Sequence, residues 1–147
     1  MVMLKELRRI LGTEPESVEL ARLYLSIGGM YFQTGYLTEA LSWVEKAQEL
    51  AKKLEEFRIM SRSYTLLAAV SMGTGETRKA CECAEKALKT SLDNNYAENA
   101  IIAYSNLAVV LPVEESERRL ECLEKAYELA RKVGIVGSIS WEGSILA

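Results

Sequence analysis

Between residues 20 and 31, apolar side chains fall at Leu20, Leu23, Tyr24, Ile27 and Tyr31. That spacing places them on one face of a 3.6-residue helix. A polar break follows at Gln33-Thr34-Gly35, where glycine can take the positive φ that ends a helix. A second apolar face then begins with Ala40, Leu41, Val44, Ala47 and Leu50. Its opposite face predicts Glu-to-Lys pairs four residues apart, here and in later segments: Glu49–Lys53, Glu82–Lys86, Glu85–Lys89, Glu121–Lys125 and Glu128–Lys132. Each such pair contributes about 0.2–0.5 kcal/mol. The pattern predicts two antiparallel helices joined by a tight turn.

The same pair is written again. LSWVEKAQELA at 41–51 returns as LECLEKAYELA at 120–130, with seven of eleven positions identical, and a looser copy, CECAEKALKTS, lies at 81–91. The triplets Glu45-Lys46-Ala47, Glu85-Lys86-Ala87 and Glu124-Lys125-Ala126 recur at a nearly constant step. Upstream, Tyr24, Tyr64 and Tyr104 recur at the same step, without variation. Each tyrosine is followed by a large and then a small apolar residue: Ile27-Gly28, Leu67-Ala68, Leu107-Ala108. Two motifs on one period identify a repeat architecture. Glycine inside a helix costs about 1 kcal/mol against alanine, so a recurring small site points to two helix backbones crossing closely. One helical pair cannot bury its apolar face alone, whereas stacked copies can, and the result is a solenoid.

At these residues the chain resembles the tetratricopeptide repeat family, whose pattern is W-x2-L-G-x2-Y, then A-x3-F, then P. The first copy reads Tyr24-x2-Ile27-Gly28-x2-Tyr31 and Ala40-x3-Val44, and the second Tyr64-x2-Leu67-Ala68-x2-Ser71 and Ala80-x3-Ala84. The third reads Tyr104-x2-Leu107-Ala108-x2-Leu111, with Arg119 in the alanine's place and a shorter turn, Leu111-Pro112-Val113-Glu114-Glu115, that lacks glycine. The closing proline is absent throughout. The step, roughly 40 residues against about 34 residues in the ordinary repeat, is similar to the long-period subclass of the family. The resemblance implies an all-α, right-handed superhelical α-α solenoid of helix-turn-helix repeats.

The expected organisation is a single domain over 1–147. A preceding or capping helix covers 1–12, repeat 1 covers 14–54, repeat 2 covers 55–92 and repeat 3 covers 93–133. The residues 135–147 read as the first helix of a truncated fourth repeat or as a C-terminal cap, because stepping from Ala126 places Leu146-Ala147 opposite Leu107-Ala108. Thr13-Glu14-Pro15-Glu16 has the form of a capping box for the helix that follows. Pro15 and Pro112 both sit where a helix can begin. Trp141 is expected in the last helix, in the core.

Composition removes several function classes. Net charge is −3, with no basic stripe, so binding along a nucleic-acid backbone has no electrostatic footprint. No apolar run reaches the roughly 18 residues that span a bilayer, and MVMLKELRRI lacks the pattern of a secretory signal. A cytoplasmic location is expected. Histidine is absent, which removes the commonest general base and metal ligand. Cys81, Cys83 and Cys122 are too few for a thiolate zinc site. In register, Cys81 takes the core position of Leu41 and Leu120, and Cys83 and Cys122 take that of Trp43. They read as small hydrophobes. Glu55-Glu56 and Glu114-Glu115 fall at helix starts or turns, where they face the helix dipole. No enzyme, cofactor or metal is expected.

In the family resembled, the first helix of each repeat lines a concave groove that binds another protein. Carried onto this chain, the resemblance places Arg22, Leu25, Gly29 and Phe32 there from repeat 1. It adds Arg62, Thr65, Ala69 and Met72 from repeat 2, and Ile102, Ser105 and Val109 from repeat 3. Arg22 and Arg62 share one site, suited to a carboxylate on an acidic or extended peptide. The groove is otherwise small and apolar, suiting an amphipathic helix or an apolar segment. The expected function is a non-catalytic protein-interaction scaffold that takes a partner peptide or helix, with self-association through the terminal helices as a further expectation. The alternative is a ligand-sensing regulatory domain of a larger transcriptional or signalling protein, holding a small molecule between first helices.

Overall fold

The computed structural model describes residues 2–134, with side chains from Glu6 onward. They form α1 (Val2–Gly12), α2 (Val18–Gln33), α3 (Leu37–Lys53), α4 (Phe57–Gly73), α5 (Thr77–Asp93), α6 (Ala97–Val110), a 3-10 turn (Val113–Glu115) and α7 (Ser116–Lys132). There is no strand among the described residues. From α2 onward each helix packs against its neighbour in sequence, and the first helices also meet in succession, α2 with α4 and α4 with α6. The fold is an all-α solenoid.

The period has a simple origin. Helices α3, α4 and α5 are each 17 residues long, and each is followed by a short reversal. Gly35, Glu55, Gly75 and Asn95 all have φ between 56° and 87°, so a left-handed residue recurs at a fixed half-step of the repeat. The next amide closes each turn: Tyr36 N–H bonds Tyr31 O, Glu56 bonds Ala51, Glu76 bonds Ser71 and Tyr96 bonds Ser91, at 2.8–2.9 Å. These bonds take up carbonyls that the helix end leaves unpaired. Gly35 and Gly75 serve as the sequence predicts. The intervening turns use Glu55 and Asn95, which no glycine announces.

The two repeated motifs lie against each other. Lys46 Nζ stands 5.9 Å from the ring centroid of Tyr24, and Lys86 Nζ stands 5.9 Å from that of Tyr64. Cation–π attraction therefore links the Glu-Lys-Ala segment of the second helix to the tyrosine of the first. Trp43 sits beneath the same lysine, with Tyr24 5.7 Å away and Arg8 also over its ring. Ala21, Ala40, Val44, Ala47, Ala51, Ala80 and Ala87 are fully buried, and among them Ala40 and Ala80, and Ala47 and Ala87, stand at equivalent sites of successive repeats. Between α4 and α5, the Ser61 and Ser91 hydroxyls meet each other and the Ala87 carbonyl.

Several local expectations are corrected. The cap of α2 is Ser17, whose Oγ accepts from Leu20 N–H at 3.1 Å; Thr13 instead donates to Ile10 O at the end of α1. Pro15 precedes the helix by three positions and does not start it. Of the five predicted Glu–Lys pairs, only Glu121–Lys125 forms, at 3.4 Å. Lys53 reaches Glu16 (2.7 Å), Lys89 takes Asp93 (2.8 Å) and Glu85 takes Arg118 of α7 (2.6 Å). Long exposed side chains have several partners within reach, and those on neighbouring elements compete with helical spacing. Glu55, expected at a helix start or turn, lies in the turn before α4. Leu120 is exposed rather than core, while Leu41 and Cys81 are partly buried. The expectations for Trp141 and for 135–147 fall outside the described residues.

The third repeat departs for a covalent reason. Proline disfavours a helical residue before it, and Leu111 is extended at φ −63° and ψ 146°. Helix α6 accordingly stops at Val110, after 14 residues. Pro112 also lacks the N–H that would bond Ala108 O four residues back. Arg119 Nε supplies that bond, at 2.8 Å. This is why an arginine stands where the other repeats have alanine.

Candidate partner-binding groove

A concave cavity of about 570 Å³ runs across α2, α4 and α6. Of the residues placed there by sequence, Leu25, Gly29, Phe32, Arg62, Thr65, Ala69, Met72, Ile102 and Val109 line it. Arg22 and Ser105 do not. Arg22 lies one turn beyond, and the Ser105 hydroxyl is bonded to Ile101 O at 3.0 Å. The cavity also includes Ser26, Leu66, Ala68, Asn99, Asn106 and Val110. Counting from each tyrosine, a five-before or two-after position finds Asn99, Ser26, Leu66 and Asn106. A stripe one residue wide misses them because a concave helical face is broader than that.

Why these side chains face inward follows from the second helices. On α2 the neighbouring position, Gly28, is taken up by the close crossing with Val44 and Ala40 of α3, and its counterparts Ala68 and Ala108 are buried. Gly29 and Ala69 are the next residues around and present little more than backbone, so the floor of the groove is shallow and smooth. Its walls are Phe32, Leu66, Met72, Ile102 and Val109. Met72, Ile102 and Val109 are exposed large hydrophobics, the kind of contiguous apolar surface that marks an interaction site.

The polar groups are few and of one kind. Arg62 is the sole charged residue of the lining, and no acid accompanies it. Neither Arg62 nor Arg22 forms an ion pair among the described residues. Asn99 Nδ2 is buried and has no acceptor. A guanidinium and an unsatisfied amide together favour an occupant that brings an acceptor, and an unmade buried hydrogen bond costs about 1–3 kcal/mol.

Among the described residues there is no group of three or more metal-ligating side chains. The three thiols are free, and burial pushes each above its ordinary pKa, which makes them poor nucleophiles at neutral pH. Cys81 donates to Val110 O at 3.3 Å, a packing contact between α5 and α6. No helix among the described residues is long and apolar enough to cross a membrane.

A family model described as tetratricopeptide repeat matches residues 21–54 and 61–94. The two matches begin at equivalent places in successive repeats, three positions before Tyr24 and Tyr64. They fall on the first two repeats; the third carries Arg119 and the Pro112 turn. No curated protein matches the chain.

Proposed function

Because the chain belongs to the tetratricopeptide repeat family, whose repeats are generally protein–protein interaction modules, we propose that it is a non-catalytic scaffold. It takes a segment of a partner protein into the groove of α2, α4 and α6. The observation that supports this most is the composition of the groove: a continuous apolar surface with one unpaired cation, Arg62, and one unpaired amide donor, Asn99. The segment that fits is apolar and short, either an amphipathic helix or an extended strand of chain, with a carboxylate placed to meet Arg62. Arg22, outside the cavity, meets a second acidic residue further along. The groove is preformed, so binding orders the partner more than the scaffold.

A second reading rests on size. A volume of about 570 Å³ lies within the roughly 300–1,000 Å³ of small-molecule sites. A ligand with an apolar body and an acidic head uses the same groups. Selection of a displayed peptide library on the full chain separates the two readings. The scaffold reading expects enriched sequences with apolar residues at regular spacing and one acid. Their affinity falls by at least about tenfold, or about 1.4 kcal/mol, in Arg62→Glu, and binding is lost in Ala69→Trp, which fills the floor. No enrichment over the Ala69→Trp control counts against the scaffold reading.

A further inference from the structure

One position of the third repeat departs from the second by bringing in a polar side chain. Counted by the repeat, Asn99 of α6 stands where α4 has Ile59, which is buried in the core. An isoleucine there needs no partner. Asn99 brings an amide whose Nδ2 is buried without an acceptor, and an unmet buried donor costs stability. Asn99 also lines two cavities at once. One is the groove, and the other, of about 340 Å³, lies at the edge where α4 and α6 begin. The orphan amide therefore stands at the junction between them.

An arginine marks each side of that junction. Arg62 lines the groove and Arg58 lines the edge cavity. Four residues apart on α4, they share a face and lie about 6 Å apart along the helix axis. Neither forms an ion pair among the described residues. The Arg58 guanidinium lies over the Tyr96 ring, 4.5 Å from its centroid, which holds it beside the start of α6. That start has no side-chain cap, so its first N–H groups add to the positive potential. Glu98, which is exposed, is the opposing charge of the edge cavity.

Resting on the groove reading above, we propose that the edge cavity is a second anchor for the same partner. It takes an acidic side chain on Arg58 while a neighbouring acid meets Arg62, and the partner lies extended between them with a backbone carbonyl on Asn99. Two kinds of chain present acids at this spacing on one side. A helix does so at i and i+4, about 6 Å apart, and an extended segment at i and i+2, about 6.6 Å apart. Asn99 decides between them: carbonyls within a helix are already bonded, whereas those of an extended segment are free. The segment leaves the groove between α4 and α6 and passes out over the edge at Tyr96.

The test uses a peptide enriched by the library selection on the full chain. The expected peptide carries acids at i and i+2 beside its apolar residues. Its affinity should fall at least about tenfold in Arg58→Glu. Exchanging one of the two acids for lysine, each in turn, should recover at least about tenfold in that variant and weaken binding to the wild type. Asn99→Leu should melt higher than the wild type yet bind more weakly, a combination that a purely structural asparagine would not give. Glu98→Gln should tighten binding. A peptide that is lost in Ala69→Trp but indifferent to Arg58→Glu overturns the proposal and leaves the groove reading standing. Acids at i and i+4 on a peptide that turns helical when bound, read by circular dichroism, also overturn it. No enrichment over the Ala69→Trp control removes the groove reading, and this proposal with it.

Discussion

Gly28 lies directly under Val44: a Cβ added to Gly28 would stand 2.6 Å from Val44 Cγ2 and 3.4 Å from Ala40 O. In the second repeat the same two positions are Ala68 and Ala84. The first repeat thus has a glycine beneath a valine, and the second an alanine at both positions. Val44 is fully buried, and a β-branched side chain cannot turn aside.

Gly28→Ala should therefore destabilise the protein by about 1–2 kcal/mol, since overpacking outweighs the gain in helix propensity. Val44→Ala alone leaves a cavity. The double variant recreates the Ala68–Ala84 pair and should lose less than the sum of the two single losses, by about 1 kcal/mol. Chemical denaturation of the four proteins checks this; strict additivity would show that the two residues do not meet.

Arg119 is expected to matter for a backbone reason. Its guanidinium satisfies the Ala108 carbonyl that Pro112 leaves without a donor. Arg119→Ala should cost about 1–3 kcal/mol. In the background Pro112→Ala, which restores a backbone N–H, the same substitution should cost distinctly less. Equal losses in both backgrounds would separate the arginine from the proline.

Glu55 pays for its turn in conformation: at φ 56° a side chain is strained where glycine is not. Glu55→Gly should stabilise by about 1 kcal/mol. Asn95→Gly should gain less, because asparagine tolerates the left-handed region. Thermal melts of the two variants give the order directly.

The buried thiols predict a pH dependence. Burial raises the pKa of Cys81, Cys83 and Cys122 in the folded state. The folded chain then holds these protons more tightly than the unfolded chain does. The associated stability is fully present below the free-thiol pKa of about 8.5 and is lost as pH rises through it toward the raised folded values. Replacing all three cysteines with alanine should flatten the decline in urea midpoint between about pH 8 and 10 relative to wild type. An unchanged decline would assign it to other groups.

The architecture was legible because its signals are periodic. Tyr24, Tyr64 and Tyr104 and the Glu-Lys-Ala triplets mark the two helices of each repeat, and Gly35 and Gly75 mark the turn inside it. The turns between repeats were not legible, since Glu55 and Asn95 adopt a glycine-like conformation under tertiary constraint. Arg119 looked like a defect in the pattern; its role depends on the donor that Pro112 lacks. Ion pairs such as Arg118–Glu85 join helices that are distant in sequence, so helical spacing did not find them. In the groove, spacing from the tyrosines located one line of residues. Asn99 and Asn106 lie beside that line, and only the curvature of three adjacent helices brings them into the same cavity.

The most direct test of the groove is chemical-shift mapping of the labelled full chain with a peptide taken from the library selection. The account predicts perturbations concentrated at Gly29, Arg62, Ala69, Asn99 and Val109, with the Asn99 side-chain amide among the largest, and a silent convex face on α3 and α5. Perturbations centred on α3, α5 and α7, with the Asn99 amide unmoved, would contradict it.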